Sequence, residues 1–211
     1  MNRNNFRKTR IDGWESRLPE AFPTLDTEAV FQSACAILHR ELSVVDDRGS
    51  RMIGRHIRRN ILPGYACYRA LLDVGIASPS AVSFVEAELC CSVQPTSRLC
   101  SRLSDKRWVY PLVKVLLSTF LRRAFPEQGW TIQNQRISDQ SVYFEMATCL
   151  YCEELAKRGA PELCPAFCQT DHASYDPLAP GVVFTRKNTL ARGGAVCDFC
   201  FARGQKKGEA D

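Results

Sequence analysis

The chain has 211 residues, 45% of them apolar and 24% charged, with a net charge of +5. At roughly 150 residues per domain this is one large domain or two small ones with enough apolar content to bury a core. That excludes a disordered chain, a collagen-like repeat and a short disulfide knot. The longest stretch without a charge, residues 74–85, falls short of the ~18 apolar residues a spanning helix needs. The opening MNRNNFRKTR is polar and basic with no apolar run behind it. No membrane partner and no secretory leader are expected, and the expected location is cytoplasmic.

Up to Phe125 the chain carries 19 Lys and Arg against 12 Asp and Glu, and beyond it 9 against 11, so the two halves hold +7 and −2. Much of the first excess comes from Arg48, Arg51, Arg55, Arg58 and Arg59, which follow one helical face opposite Met52, Ile53 and Ile57. A solvated helix face explains this spacing. No aromatic residues interleave the arginines as a base-stacking surface would require, so no specific nucleic-acid partner is expected.

Taken in order, residues 1–23 read as an N-terminal extension and 24–125 as a helical region. Thr24 and Asp26 precede the periodic run Val30, Ala34, Ile37, Leu38, Leu42, a capped helix start. A second helix is expected over about 50–61. Pro63 and Pro79 suit first-turn positions, and Gly75 between them suits a C-terminal stop. Residues 108–125, WVYPLVKVLLSTFLRRAF, read as a buried helix with a basic C-terminus.

After Pro126 the apolar period changes from about 3.6 to 2. Trp130 and Ile132, then Val142, Phe144 and Met146, flank the turn-like Ser138, Asp139 and Gln140, which predicts a hairpin. Residues 149–158 read as a helix stopped by Gly159, and Pro161 starts another. Residues 181–190 and 196–202 form a second alternating pair around Arg192, Gly193 and Gly194. The order ββααββ predicts an α+β fold with a four-stranded antiparallel sheet over 126–203. Residues 24–203 are expected to form one compact unit, with 204–211 as a tail.

Eleven cysteines stand at 35, 67, 90, 91, 100, 149, 152, 164, 168, 197 and 200. With no leader expected, they read as buried small side chains, metal ligands or reactive thiols rather than disulfides. Cys149 with Cys152, Cys164 with Cys168, and Cys197 with Cys200 have the look of a zinc site. On a strand, however, residues three apart point to opposite faces, so Cys197 and Cys200 would share one metal only if that strand were a knuckle. No metal and no other cofactor is expected.

On a helix, Cys168 faces Asp171 and His172, a thiol beside a carboxylate and an imidazole. Arg186 and Asp198 each sit in an alternating strand beside an aromatic residue, and charges there need partners. They could pair with each other, or hold a substrate carboxylate and amidine.

The run from Cys149 to Phe201 resembles the L-2-amino-thiazoline-4-carboxylic acid hydrolases. It supplies Cys149 before a helix, the Gly-Ala-Pro-Glu-Leu turn at Gly159 to Leu163, and Cys168 with Asp171. Arg186 with Thr189 and Leu190 follows, then Gly194 with Cys197, Asp198 and Phe199. Cys152, Cys164 and Cys200 fall outside that pattern.

The resemblance implies a hydrolase that opens a small cyclic amidine at its carbon–nitrogen bond. Water would add to the carbon between ring nitrogen and sulfur, and the ring would collapse to a carbamoyl cysteine. The expected partner is then a small-molecule substrate. On these positions, the inferred roles are Cys197 as nucleophile or polar wall and Asp171 and Asp198 as base and amidinium partner. Cys168 is a second candidate thiol, Arg186 a carboxylate clamp, and Cys149 and His172 further binding groups. A biosynthetic cyclase on the same scaffold and a zinc-stabilised binding module remain the alternatives.

Overall fold

The computed structural model describes residues 6–204. These described residues form two compact units, one up to residue 92 together with 153–167 and the other 93–152 together with those from 168 on.

The first unit is helical. Residues ahead of Thr24 supply Phe6, Ile11, Trp14 and Leu18 to its core, each at most 2% exposed. Helix α1 (Leu18–Ala21) follows. The rings of Phe6, Trp14 and Phe31 lie 5.4–5.9 Å apart. Helix α2 (Thr27–Leu42) starts where Asp26 accepts the Ala29 N–H, the N-cap bond that satisfies an orphan amide donor.

Helix α3 (Arg51–His56) runs through a π turn at Ile57–Ile61 into α4 (Leu62–Asp73). Pro63 therefore sits within a continuing helical segment, not after a break. It has no N–H to return to the Arg59 carbonyl four residues earlier, and that carbonyl accepts from the Arg10 amide at 2.8 Å. Arg51, Arg55, Arg58 and Arg59 are exposed, as a solvated face predicts. Arg48 departs from it: with φ 52° it lies outside the helix and binds Glu153 at 2.8 Å. Gly75, at φ 86°, ends α4 in the left-handed conformation that a side chain resists. Helix α5 (Ser78–Ser92) carries Glu88, 3% exposed and held by Arg17 Nε and Nη2, the two donors of one guanidinium edge.

The second unit begins with α6 (Gln94–Leu103) and α7 (Val109–Ala124). The expectation that α7 is buried is overturned. Trp108, Leu112, Val115, Leu116 and Phe120 are 41–71% exposed, and only Val109, Tyr110 and Leu121 of the helix are buried. The segment is mostly apolar, but the helix meets its neighbours along a single polar-edged stripe. Tyr110, Lys114 and Ser118 on that stripe bond Ser138, Asp139 and Gln135 respectively.

Strands β1 (Ile132–Ile137) and β2 (Ser141–Met146) form the predicted hairpin. After α8 (Leu150–Lys157) and α9 (Cys164–Tyr175) come β3 (Val182–Thr185) and β4 (Cys197–Arg203). The sheet order is β1-β2-β4-β3, antiparallel throughout, so the α+β architecture with a four-stranded antiparallel sheet is present as expected. Alternation gives the sheet a buried face made of Val142, Phe144, Met146, Val182, Phe184, Cys197, Phe199 and Phe201. Phe144 and Phe199 stack at 4.8 Å, and Tyr175 of α9 meets Phe184 and Phe201 edge-on.

Candidate active site

Strand β3 is shorter than its alternating sequence suggests. It leaves the ladder after Thr185 because Asp198 Oδ1 takes the amides of Lys187 at 3.0 Å and Asn188 at 2.5 Å, in place of a strand partner. The period-2 pattern of Val182 and Phe184 nevertheless carries on to Arg186, which therefore points to the buried face. Its Cζ lies 5.4 Å from the centre of the Phe199 ring, a cation–π contact.

The Arg186 side chain is only 4% exposed. Nη1 donates to Asp171 Oδ2 at 2.5 Å, and Nη2 donates to the Cys168 carbonyl at 2.8 Å. Arg186 Nε is buried with no hydrogen-bond partner, and so is Thr189 Oγ1 three residues on. Buried donors of this kind are rare in a folded chain because each costs its full desolvation. Two such groups lie in this one short loop, which makes it the candidate site.

That loop is closed by the residues of the two motifs. Leu190–Arg192 form a single 3₁₀ turn that ends at Gly193, whose φ is 80°. The Gly194 amide returns to the Thr189 carbonyl at 2.9 Å. A Cβ at Gly194 would stand 2.9 Å from that same oxygen and 3.2 Å from the Thr189 nitrogen, so only glycine fits there. The Leu190 amide donates to Cys197 Sγ at 3.2 Å. Burial pushes the Cys197 thiol up to about 11, the Leu190 hydrogen bond opposing it, while the nearby Cys168 and Cys152 add to the rise and Arg186 opposes it. Cys197 is consequently a neutral thiol at ordinary pH.

Cys149 precedes α8, and its sulfur accepts the Cys152 amide. Its hydrogen bond with the Cys152 thiol, then burial, hold its pKa well above the ordinary thiol value, with Cys168 acting in the same direction. Cys149 thus lies within electrostatic reach of Cys152 and Cys168, and Cys197 within reach of the same two thiols.

Of the residues anticipated from sequence, Cys168, Asp171, Arg186 and Cys197 come together on the buried side of the sheet. Asp198 does not join them: it projects from the opposite face, paired in register with Glu145, and braces the loop backbone. Arg186 does form an ion pair, but with Asp171 of α9 rather than with Asp198 across the strands. His172 turns to Asp176 at 3.2 Å and rests its ring 5.2 Å from Phe184. Cys200 faces away from Cys197, opposite Tyr143. Among the described residues no group of three or more His, Cys, Asp or Glu side chains is placed to hold a metal ion, and no helix is long and apolar enough to cross a membrane. Thr189 and the Leu190 amide were not anticipated as site groups; their signal was their place three and four residues after Arg186 in the same motif.

A small α+β domain with a buried guanidinium–carboxylate pair and neutral thiols at one sheet end has the groups of a hydrolase for small polar molecules. The family model described as L-2-amino-thiazoline-4-carboxylic acid hydrolase matches residues 55–201, and the chain belongs to that family. It is accordingly a hydrolase acting on a small heterocyclic ring. No curated protein and no solved structure matches the chain.

Proposed function

We propose that the substrate is a zwitterionic five-membered cyclic amidine bearing a carboxylate, of the 2-aminothiazoline-4-carboxylate type, and that Arg186 and Asp171 hold its two charges. The observation that carries this reading is the Arg186 guanidinium, nine-tenths buried, paired with Asp171 and yet left with an unsatisfied Nε. An Arg–Asp pair is the electrostatic complement of an amidinium carboxylate. When the ligand enters, Arg186 gives its free edge to the carboxylate, Asp171 faces the amidinium, and little net charge is buried.

Chemistry follows from that orientation. Asp171 accepts a proton from water as the oxygen adds to the amidinium carbon, giving a tetrahedral carbon bonded to two nitrogens, oxygen and sulfur. Collapse expels the ring sulfur as thiolate and leaves a carbamoyl nitrogen. The bond that breaks on this route is carbon–sulfur, whereas carbon–nitrogen cleavage would leave a thiocarbamate. Cys197, a neutral thiol, serves as an S–H donor and polar wall and not as the attacking thiolate. Cys168 contributes its backbone carbonyl to the placement of Arg186, and Asp198 positions the loop.

The test is incubation of the purified chain with 2-aminothiazoline-4-carboxylate and a thiol-detecting reagent. Stoichiometric appearance of new small-molecule thiol supports the proposal. Turnover without thiol release would assign the cleavage to carbon–nitrogen, and an absence of both turnover and calorimetric binding would remove this substrate class.

A further inference from the structure

Cys149 and Cys152 are left over by the hydrolytic chemistry, and Cys152 also falls outside the family motifs. They stand at the first turn of α8, one just ahead of the helix and the other three residues on. Their thiols are hydrogen-bonded to each other, and the Cys152 amide also reaches the Cys149 sulfur. Both are half-buried, whereas Cys164 and Cys197 are buried. A small oxidant therefore reaches this pair more readily than those two thiols.

We propose that Cys149 and Cys152 form a redox-active dithiol that small organic disulfides convert to an intramolecular disulfide. A C-x-x-C pair at a helix start brings its sulfurs within bonding range by side-chain rotation alone, because residues three apart on a helix are neighbours. One thiol of the pair, as thiolate, attacks one sulfur of the small disulfide, forming a mixed disulfide and releasing one thiol. Its neighbour then gives up its proton and attacks the protein sulfur of that mixed disulfide, expelling the second thiol. The pair loses two electrons and two protons, and the small disulfide gains both as two thiols. Cys168 and Cys152 both act electrostatically on Cys197, so oxidation of the pair changes the charge and hydrogen bonding that the candidate site experiences.

The experiment equilibrates the full chain in mixtures of oxidised and reduced glutathione, quenches with acid, alkylates, and digests with trypsin. The peptide 137–157 contains Cys149 and Cys152 and no other cysteine. The expected result is loss of two hydrogen masses from this peptide and escape from alkylation as the buffer becomes oxidising, reversed by excess reduced glutathione. In Cys149→Ser, Cys152 should instead retain one glutathione. Alkylation of both cysteines at every ratio would overturn the proposal, and so would a cross-link from this peptide to the one carrying Cys168. The readout is covalent and needs no turnover, so it stands or falls separately from the hydrolase reading. Should Cys149→Ser fail to fold, the wild-type titration alone decides.

Discussion

The amide of Leu190 donates to the sulfur of Cys197 at 3.2 Å, tying the segment after β3 to the first residue of β4. Through that bond, and through Asp198 on the opposite face, two motifs separated in sequence become one loop that holds Arg186 and Thr189 in place. The thiol and the carboxylate next to it in sequence divide the work: Cys197 faces the candidate site and Asp198 fastens the backbone.

Asp198 is therefore expected to behave as a positioning residue. Asp198→Asn keeps an acceptor for the Lys187 and Asn188 amides and should retain most activity. Asp198→Ala leaves both amides to water and should cost on the order of 1 kcal/mol, with KM rising as the loop loosens. Chemical denaturation and initial rates on both variants check this. A collapse of kcat in Asp198→Asn with the fold intact would return Asp198 to a direct chemical role.

Gly194→Ala should be disproportionately harmful for a single methyl group. The new Cβ would press on backbone atoms of Thr189 at 2.9 and 3.2 Å, which cannot rotate out of the way. Overpacking of this kind costs roughly 1–3 kcal/mol, and relief requires the Thr189–Leu190 segment to move off Cys197. Thermal unfolding and substrate affinity should both fall; a fully active, equally stable variant would show that the loop geometry is not needed.

Much of this arrangement was legible from residue order, for identifiable reasons. The period-2 runs gave β2 and β4 because each has one buried face, and alternation alone placed Cys197 and Asp198 on opposite sides. The end of β3 was not legible, because a side chain, Asp198, takes over amides that the ladder would have used. Nor was the partner of Arg186: strand adjacency favours Asp198, and only the placement of α9 against the sheet brings Asp171 within 2.5 Å. The exposure of α7 was hidden too, since a mostly apolar helix in sequence carries no mark of how few neighbours it will meet.

Replacing Arg186 separates binding from folding. Lysine can still meet Asp171, but as a point charge it cannot also reach the Cys168 carbonyl and offer a planar edge to a carboxylate. Arg186→Lys should keep the fold and raise KM by tenfold or more, on the order of 1.4 kcal/mol, with a smaller change in kcat. Arg186→Met leaves Asp171 without its partner and should destabilise as well as inactivate. Steady-state kinetics beside urea titrations distinguish the two, and unchanged affinity in Arg186→Lys would reduce Arg186 to a structural ion pair.

The Cys197 thiol makes the stability of the chain depend on alkaline pH in a direction that can be worked out. Its pKa rises from 9.0 to about 11 on folding, with burial as the main cause. Between those values the unfolded chain has lost the proton while the folded chain still holds it. The folded state binds more protons there, so stability contributed by this group is fully present below pH 9 and is lost as pH rises towards 11. Cys67 and Cys149 are shifted in the same direction, so the wild-type curve sums several thiols and the informative quantity is a difference. Cys197→Ala should lower Tm at neutral pH and fall less steeply than wild type between pH 9 and 11. Alkylation of Cys197 in the native protein should likewise be slow at pH 8 and accelerate only above pH 10, read from the labelled peptide. Parallel Tm curves for the two proteins, or rapid alkylation of native Cys197 at pH 7, would show that this thiol ionises readily and would bring it back as the attacking nucleophile.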